Sequence, residues 1–256
     1  MAADHAGAVF ADPWPVTDPA SCHFYHTMDL PGLGTFDGHV DLRPGLAAYL
    51  GGVEVAGRRV LDVGPASGAV TFHLERAGAR EVVGLEVSEE RGWQAVPQPD
   101  LDMDAVLADR VEHLRRIKRG FWLAHGTLGA SARMIYGDVN RPPPGLGRVD
   151  VAVLGGVLLH CRDPLGALAA CCALSDEAVV VTEQEMPSLQ PSREAAVQLL
   201  APSRANQVWD VWWRFTPGVF AQALPLFGFP DVETRYHAQL SQGAWYPHFS
   251  VVGRRG

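Results

Sequence analysis

The stretch Val60-Leu61-Asp62-Val63-Gly64-Pro65-Ala66-Ser67-Gly68 constrains this chain more than any other. An apolar strand runs into a turn of small residues, and a helical pattern follows at once. Gly64 and Gly68 put no side chain between the backbone and whatever faces the turn, and the start of the helix offers unpaired N–H groups. A pyrophosphate-binding turn has the spacing GxGxxG; here Ala66 occupies the second glycine position and the third glycine is missing. A dinucleotide site is therefore disfavoured. A second apolar strand ends Val82-Val83-Gly84-Leu85-Glu86, with Glu86 eighteen positions after Gly68 (86 − 68). A carboxylate at that strand tip matches the two adjacent hydroxyls of a ribose, because two donors meet two acceptor oxygens. Taken singly, Gly64, Gly68 or Glu86 is a structural residue; in this order they point to a nucleoside site.

The rest of the chain supports the same architecture. Short apolar runs near 59–63, 81–86, 132–136, 149–155 and 177–184 read as strands buried on both faces. Segments near 68–77, 105–129, 164–174 and 189–200 carry apolar residues at three- and four-residue spacing and read as helices between them. A short helix is expected near Pro44 to Leu50, and another over Pro217 to Phe227. Residues 231–237 and 247–253 alternate as strands, an antiparallel hairpin at one sheet edge. The fold class is α/β, a doubly wound sheet, mostly parallel. Residues 1–50 form an N-terminal arm and lid: 1–20 lack periodicity and read as a loose arm, and Phe24 to Pro44 mixes aromatics with turn residues as a covering loop does. Residues 51–256 form the core domain, with an irregular insertion at 88–103. That insertion follows the second strand and so lies at the carboxyl edge of the sheet. Trp93 within it needs a surface to cover, which makes it a candidate substrate contact; a plain surface loop is the alternative.

Of the 256 residues, 47% are hydrophobic, enough for a sizeable core, and the formal net charge is −8. No global positive field exists to gather phosphate backbones, so nucleic acid is not an expected partner. The basic run Arg110, Arg115, Arg116, Lys118 and Arg119 is interleaved with Asp109 and Glu112 and reads as a solvated helix face. The N-terminus shows no basic segment leading into an apolar one, and no run suits a membrane span, so a cytoplasmic location is expected. Cys22, Cys161, Cys171 and Cys172 show no metal-ligand spacing and read as reduced, buried thiols, with no metal site. Monomer and homodimer are both compatible with the sequence.

These motifs resemble the class I S-adenosylmethionine-dependent methyltransferases: Asp62, Gly64 and Gly68, with Ser67 in the same turn, match the first motif of that family and Glu86 the second. The resemblance implies a Rossmann-like methyltransferase sheet, S-adenosylmethionine as donor and S-adenosylhomocysteine as product. It further implies that Asp138, in Gly137-Asp138-Val139, lies beside the adenine amino group. Leu154-Gly155-Gly156 would line the methionine portion. A narrower similarity is to a subgroup that contains tRNA wobble-uridine methoxy-forming (carboxymethyl transfer) enzymes and many natural-product methyltransferases. It is carried by Phe24-Tyr25-His26-Thr27-Met28-Asp29-Leu30, by Asp41-Leu42-Arg43-Pro44, and by Leu158-Leu159-His160-Cys161-Arg162-Asp163-Pro164-Leu165. Two departures stand out. Leu159 replaces a frequent Tyr, and Glu86 replaces an Asp, which keeps the chemistry and lengthens the reach.

Methyl transfer from a sulfonium is a direct displacement, so the protein must align the reactants and exclude water. A hydroxyl acceptor loses a proton during attack, and histidine is the natural base. His160, after the fourth strand, and His26, in the covering loop, are the candidates; His39 reads as a surface residue. A structural imidazole at the turn with Arg162 and Asp163 is the alternative for His160. Arg43 suits the methionine carboxylate through paired hydrogen bonds, or else a salt bridge at the start of a helix. Tyr25 and Trp213 are candidate walls of an acceptor pocket, core packing being the alternative for the Trp209, Trp212, Trp213 and Phe215 block. The expected function is methylation of a small-molecule hydroxyl or amine in specialised metabolism. The alternatives are tRNA wobble-uridine modification, or a fold relative that binds the nucleoside for another reaction.

Overall fold

The computed structural model describes residues 10–88, 93–185, 194–200 and 208–256. The first elements are short: β1 (Met28–Leu30), β2 (Gly34–Phe36), β3 (Val40–Asp41) and α1 (Leu46–Tyr49). The core alternates β4 (Arg59–Val63), α2 (Ala69–Arg76), β5 (Glu81–Glu86), α3 (Met103–Leu128), β6 (Arg133–Tyr136), β7 (Val149–Gly155), α4 (Pro164–Leu174) and β8 (Ser175–Gln184). It closes with β9 (Val197–Leu199), β10 (Trp213–Phe215), α5 (Pro217–Leu226), β11 (Asp231–Ser241) and β12 (Ala244–Arg254).

Eight strands form one sheet in the order β3-β11-β12-β8-β7-β4-β5-β6. β4 pairs in parallel with both β5 and β7, β5 with β6, and β7 with β8, while β12 runs antiparallel to β8 and β11. Chain order reverses between β4 and β7, which leaves a crevice at their carboxyl ends, the place where open α/β sheets bind ligands. The strands are apolar throughout because both faces are covered. Leu61, Val63, Val83, Leu85 and Leu154 pack to one side with residues of α4 and α5, and Val60, Val82, Val151, Val153 and Val180 pack to the other with α1 and α2.

Helix ends follow local chemistry. Asp102 opens α3 by accepting hydrogen bonds from the N–H groups of Asp104 and Ala105, and Gly129 closes it at φ +61°. Asp163 accepts from the N–H of Gly166 at 2.8 Å and Pro164 begins α4, so the Arg-Asp-Pro sequence after His160 is a helix start.

Several expectations are corrected. The hairpin is longer than 231–237 and 247–253: β11 and β12 pair from Asp231↔Arg254 to Ser241↔Ala244, around Gln242 and Gly243 at φ +47° and +78°, the signs of a type I′ turn. It lies at one side of the sheet as expected, with the two-residue β3 added outside the end of β11 through Leu240↔Asp41 and Ser241↔Val40. Within the expected helix 189–200, residues 189–193 lie outside the described residues, and Val197–Leu199 is a strand paired antiparallel with β10. The arm is not loose where it is described: from Phe10 it is fastened along the free edge of β6, with the N–H of Ala11 donating to the carbonyl of Met134 at 2.8 Å and Phe10 beneath the Arg133 guanidinium. The covering loop contains the β1–β2 hairpin. Nor is the basic run wholly solvated, since Lys118 is buried with its ammonium over the Tyr136 ring. All four cysteines are free and buried. Among the described residues no helix is long and apolar enough to cross a membrane.

Candidate functional site

A cavity of about 640 Å³ opens over the carboxyl ends of the central strands. Its floor is contributed by Val63 and Gly64 after β4, Leu85 and Glu86 at the end of β5, Gly155 and Gly156 after β7, and Thr182, Glu183 and Gln184 at the end of β8. Tyr25, His26, His39, Val40 and Leu42 wall one side, so the N-terminal segment covers the crevice, and Trp93, Gln94 and Arg110 wall another. Ser241, Gln242, Tyr246 and His248 of the long hairpin complete the rim. The size is that of a small-molecule site.

The turn after β4 is shaped by backbone conformation. Gly64 has φ +67°, and a Cβ there would come within 2.7 Å of Val157. Ala66, also left-handed at φ +50°, aims its N–H at Oε2 of Glu86, 3.1 Å away. Oε1 of Glu86 accepts from its neighbour Val87 at 2.8 Å. Each oxygen thus keeps one lone pair for a ligand, and the carboxylate is fixed in place before any ligand arrives. Burial raises its pKa, against the two backbone bonds and Lys118.

Asp62, Ser67 and Gly68 support this turn from behind and do not line the cavity. Asp62 is buried, accepts from the Thr71 hydroxyl at 2.6 Å, and is pushed up to about 7 by burial. The Ser67 hydroxyl accepts from the N–H of His26 at 3.2 Å, which ties the N-terminal segment to the turn. Gly68 opens α2 at φ +94°, and a Cβ there would meet the rings of Phe72 at 2.3 Å and Phe121 at 2.9 Å. Its left-handed backbone and the packing of α2 on α3 both call for glycine there.

Asp138 and Gly155 line the cavity as expected. A Cβ on Gly155 would lie 2.6 Å from the Tyr49 ring, so this glycine lets α1 cover the floor. Arg43 is not there. Its guanidinium takes Asp29 at 2.7 Å and Asp41 at 2.7 Å in an exposed cluster outside the cavity. The Met28-Asp29-Leu30 and Asp41-Leu42-Arg43 signatures are therefore two halves of one clamp in the covering segment. Trp213 is likewise absent from the wall: its indole N–H donates to the Cys161 carbonyl at 2.9 Å and its ring packs on the core beside α4.

The two histidines are placed at the cavity and differ in circumstance. His26 is buried, its Nδ1 has no partner among the described residues, and burial lowers its pKa to about 4. His160 hydrogen-bonds through Nδ1 to the carbonyl of Asp210, and its ring meets the edge of Trp93 at 4.9 Å. Burial lowers its pKa, against that carbonyl. Trp93 is stacked in turn by Arg110 at 3.9 Å. The segment 208–212 holds this corner together, since Trp209 accepts from Val96, Val208 accepts from Gln98, and Trp212 donates to Gln94. Tyr49, Arg110, Glu183, Tyr246 and His248 are among the cavity residues that the sequence did not single out. Arg110 was obscured by its charged neighbours. Glu183 lies at the carboxyl end of the fifth parallel strand, one residue before its last, much as Glu86 ends the second, and that likeness was the available signal.

Sheet order and the crevice at its reversal define the Rossmann-like methyltransferase fold. Individual solved structures share it. The N-terminal domain of EvdMO1 with SAH bound superposes at TM-score 0.56 and 19% identity, covering 91% of this chain and 92% of that one. Magnesium protoporphyrin IX methyltransferase (ChlM) from Synechocystis PCC 6803 with bound SAH gives 0.52 and 14%, covering 84% and 82%. An O-methyltransferase family protein from Burkholderia thailandensis gives 0.53 and 16%, covering 84% of this chain and 56% of that one. In sequence the chain matches no known family description and no curated protein.

Proposed function

We propose that this chain is an S-adenosylmethionine-dependent methyltransferase acting on a hydroxyl or amine of a small molecule, with S-adenosylhomocysteine as product. Glu86 carries the reading: a buried carboxylate at the tip of β5, each oxygen fixed by one backbone N–H and each with acceptor capacity left for a ribose diol. Other residues fit the same group. Leu85, Val87, Leu114 and Val139 offer an apolar slot with Asp138 at its edge, suited to an adenine and its amino group. Gly155 and Gly156 leave room for the aliphatic portion, and Glu86, Asp138 and Asp210, set against Arg110, give the wall a negative balance that suits a sulfonium. The donor supplies an electrophilic methyl group; the chain positions the acceptor and keeps water out.

A net charge of −8 favours a small acceptor over tRNA, and a cytoplasmic enzyme of specialised metabolism is the setting proposed. The test is calorimetry with S-adenosylhomocysteine, followed by mass spectrometry of candidate acceptors incubated with protein and donor. Binding with a gain of one methyl group is expected. No heat from folded protein would refute the nucleoside site, and steeply salt-dependent binding of bulk tRNA would return the RNA alternative.

A further inference from the structure

Glu183 has a place in the cavity that nucleoside binding leaves unused. Alternation along β8 puts it on the face of Val179 and Val181, at the carboxyl end, where it is 4% exposed and lines the cavity. Its Oε1 accepts from the N–H groups of Leu158 at 3.1 Å and Leu159 at 3.3 Å, at the start of the turn that carries His160. Oε2 accepts no hydrogen bond from the described residues. One oxygen is thus locked and the other is presented to the cavity. Sheet order places Glu183 across β7 and β4 from Glu86, so a nucleoside gripped over β4 and β5 leaves the space over β7, β8 and the hairpin for the acceptor. Tyr49, Tyr246 and His248 line that space with it.

We propose, on the methyltransferase reading above, that Glu183 is the catalytic base: its Oε2 receives the proton of an acceptor hydroxyl or protonated amine bound over β7 and β8. The step balances without a further reactant. For a hydroxyl, the acceptor oxygen gains the methyl carbon, the sulfonium sulfur keeps the pair of the broken C–S bond and becomes a thioether, and Glu183 takes the proton. A protonated amine first yields one proton to Glu183, and the proton lost after attack passes to water. Among the alternatives, His160 donates from Nδ1 to the carbonyl of Asp210, which leaves Nε2 as an acceptor, but burial lowers its pKa, and His26 is buried with its pKa lowered to about 4, so both take up protons poorly near neutrality. Burial pushes Glu183 up to about 8, against its two backbone hydrogen bonds, which suits proton transfer near neutral pH. Tyr25, Tyr49 and Cys161 feel its charge. The basic residues of the wall, His26, His39, Arg110, His160 and His248, do not hydrogen-bond to it.

The variant Glu183→Gln separates this role from a structural one, because the amide oxygen still accepts from Leu158 and Leu159 while the group no longer takes a proton. Two measurements are made on protein with S-adenosylhomocysteine bound: carbon NMR of labelled glutamate carboxyls across about pH 5 to 9, and the donor-product affinity itself. Wild type should show a glutamate titrating far above the ordinary range that is absent from Glu183→Gln, with affinity for S-adenosylhomocysteine retained. With catechol, D-glucose and tyramine as acceptor probes, any methylated by wild type should lose about 10²–10⁴-fold in kcat in Glu183→Gln at little changed KM, and Glu183→Asp should recover part of it. The alkaline-rising limb of the pH profile should vanish. Full turnover in Glu183→Gln, or a Glu183 already ionised through the whole range, overturns the assignment. Wild type that binds no S-adenosylhomocysteine refutes the methyltransferase reading instead.

Discussion

At the residue scale the turn after β4 and the tip of β5 act as one device. The N–H of Ala66 holds Oε2 of Glu86, and Ala66 adopts φ +50° to do so, a left-handed conformation that an L side chain seldom takes. The carboxylate is therefore oriented by the loop it would share a ligand with, and little ordering remains to be done on binding. Glu86→Ala should weaken S-adenosylhomocysteine by about 10- to 100-fold, the worth of hydrogen bonds to a charged group at about 1.5–3 kcal/mol. Glu86→Gln, which keeps an acceptor for Ala66 but loses the charge and one acceptor oxygen, should fall between. Isothermal calorimetry on both variants is the check, and wild-type affinity in Glu86→Ala would remove the ribose contact. Gly68 belongs to a different account: a Cβ there would stand 2.3 Å from Phe72 and 2.9 Å from Phe121, so its substitution would disturb the packing of α2 on α3 before it touched any ligand.

At the element scale, the N-terminal segment is attached to the core along its length, among other places by Ala11 on β6, His23 on the carbonyl of Arg116 in α3, His26 on Ser67, Val40 and Asp41 on β11, and Thr182 on the carbonyl of Tyr49. The Arg43 clamp is internal to this segment, and both its partners are solvent-accessible. Arg43→Ala should cost no more than about 1 kcal/mol in chemical denaturation, the range of an exposed pair, and should leave S-adenosylhomocysteine affinity unchanged; a large loss of affinity would put Arg43 back at the methionine carboxylate. Sequence alone was informative where one face or both of an element must be buried. β4, β5, β7 and β8 are legible as apolar runs, and most of α3 from its periodicity, whereas its start at Met103 behind the Asp102 cap was not read. The loop-derived parts of the site were harder to read. Nothing local distinguishes Arg43, paired with two aspartates, from an arginine free to take a carboxylate. The strand character of Val197–Leu199 depends on a partner at Trp213–Phe215, which is a distant contact. Trp213 reads as a pocket aromatic until its indole N–H is seen to be spent on Cys161.

For the whole molecule, the buried titratable groups oppose one another as pH changes. Burial raises Asp62 to about 7 and Glu183 to about 8, so the folded state holds protons there that the unfolded chain has already released. Their stabilising contribution is complete below the unfolded carboxylate range and is lost as pH rises through those two values. Burial lowers His26, His113 and His237 each to about 4, so the unfolded chain binds protons there that the folded state refuses. Their contribution is complete above the unfolded histidine range and is lost as pH falls toward 4. Between the two, the ligand-free protein should be most stable at about pH 6 to 7, with the urea midpoint falling on either side. Glu183→Gln removes one of the raised carboxylates that weaken the alkaline side, so its midpoint should fall less between about pH 6 and 8 than that of wild type. The comparison is made by urea titration at fixed salt, with no ligand present. A midpoint that climbs steadily through pH 8 in wild type would mean that the raised carboxylates do not govern that limb, and equal slopes in wild type and variant would mean that Glu183 enters the fold already ionised.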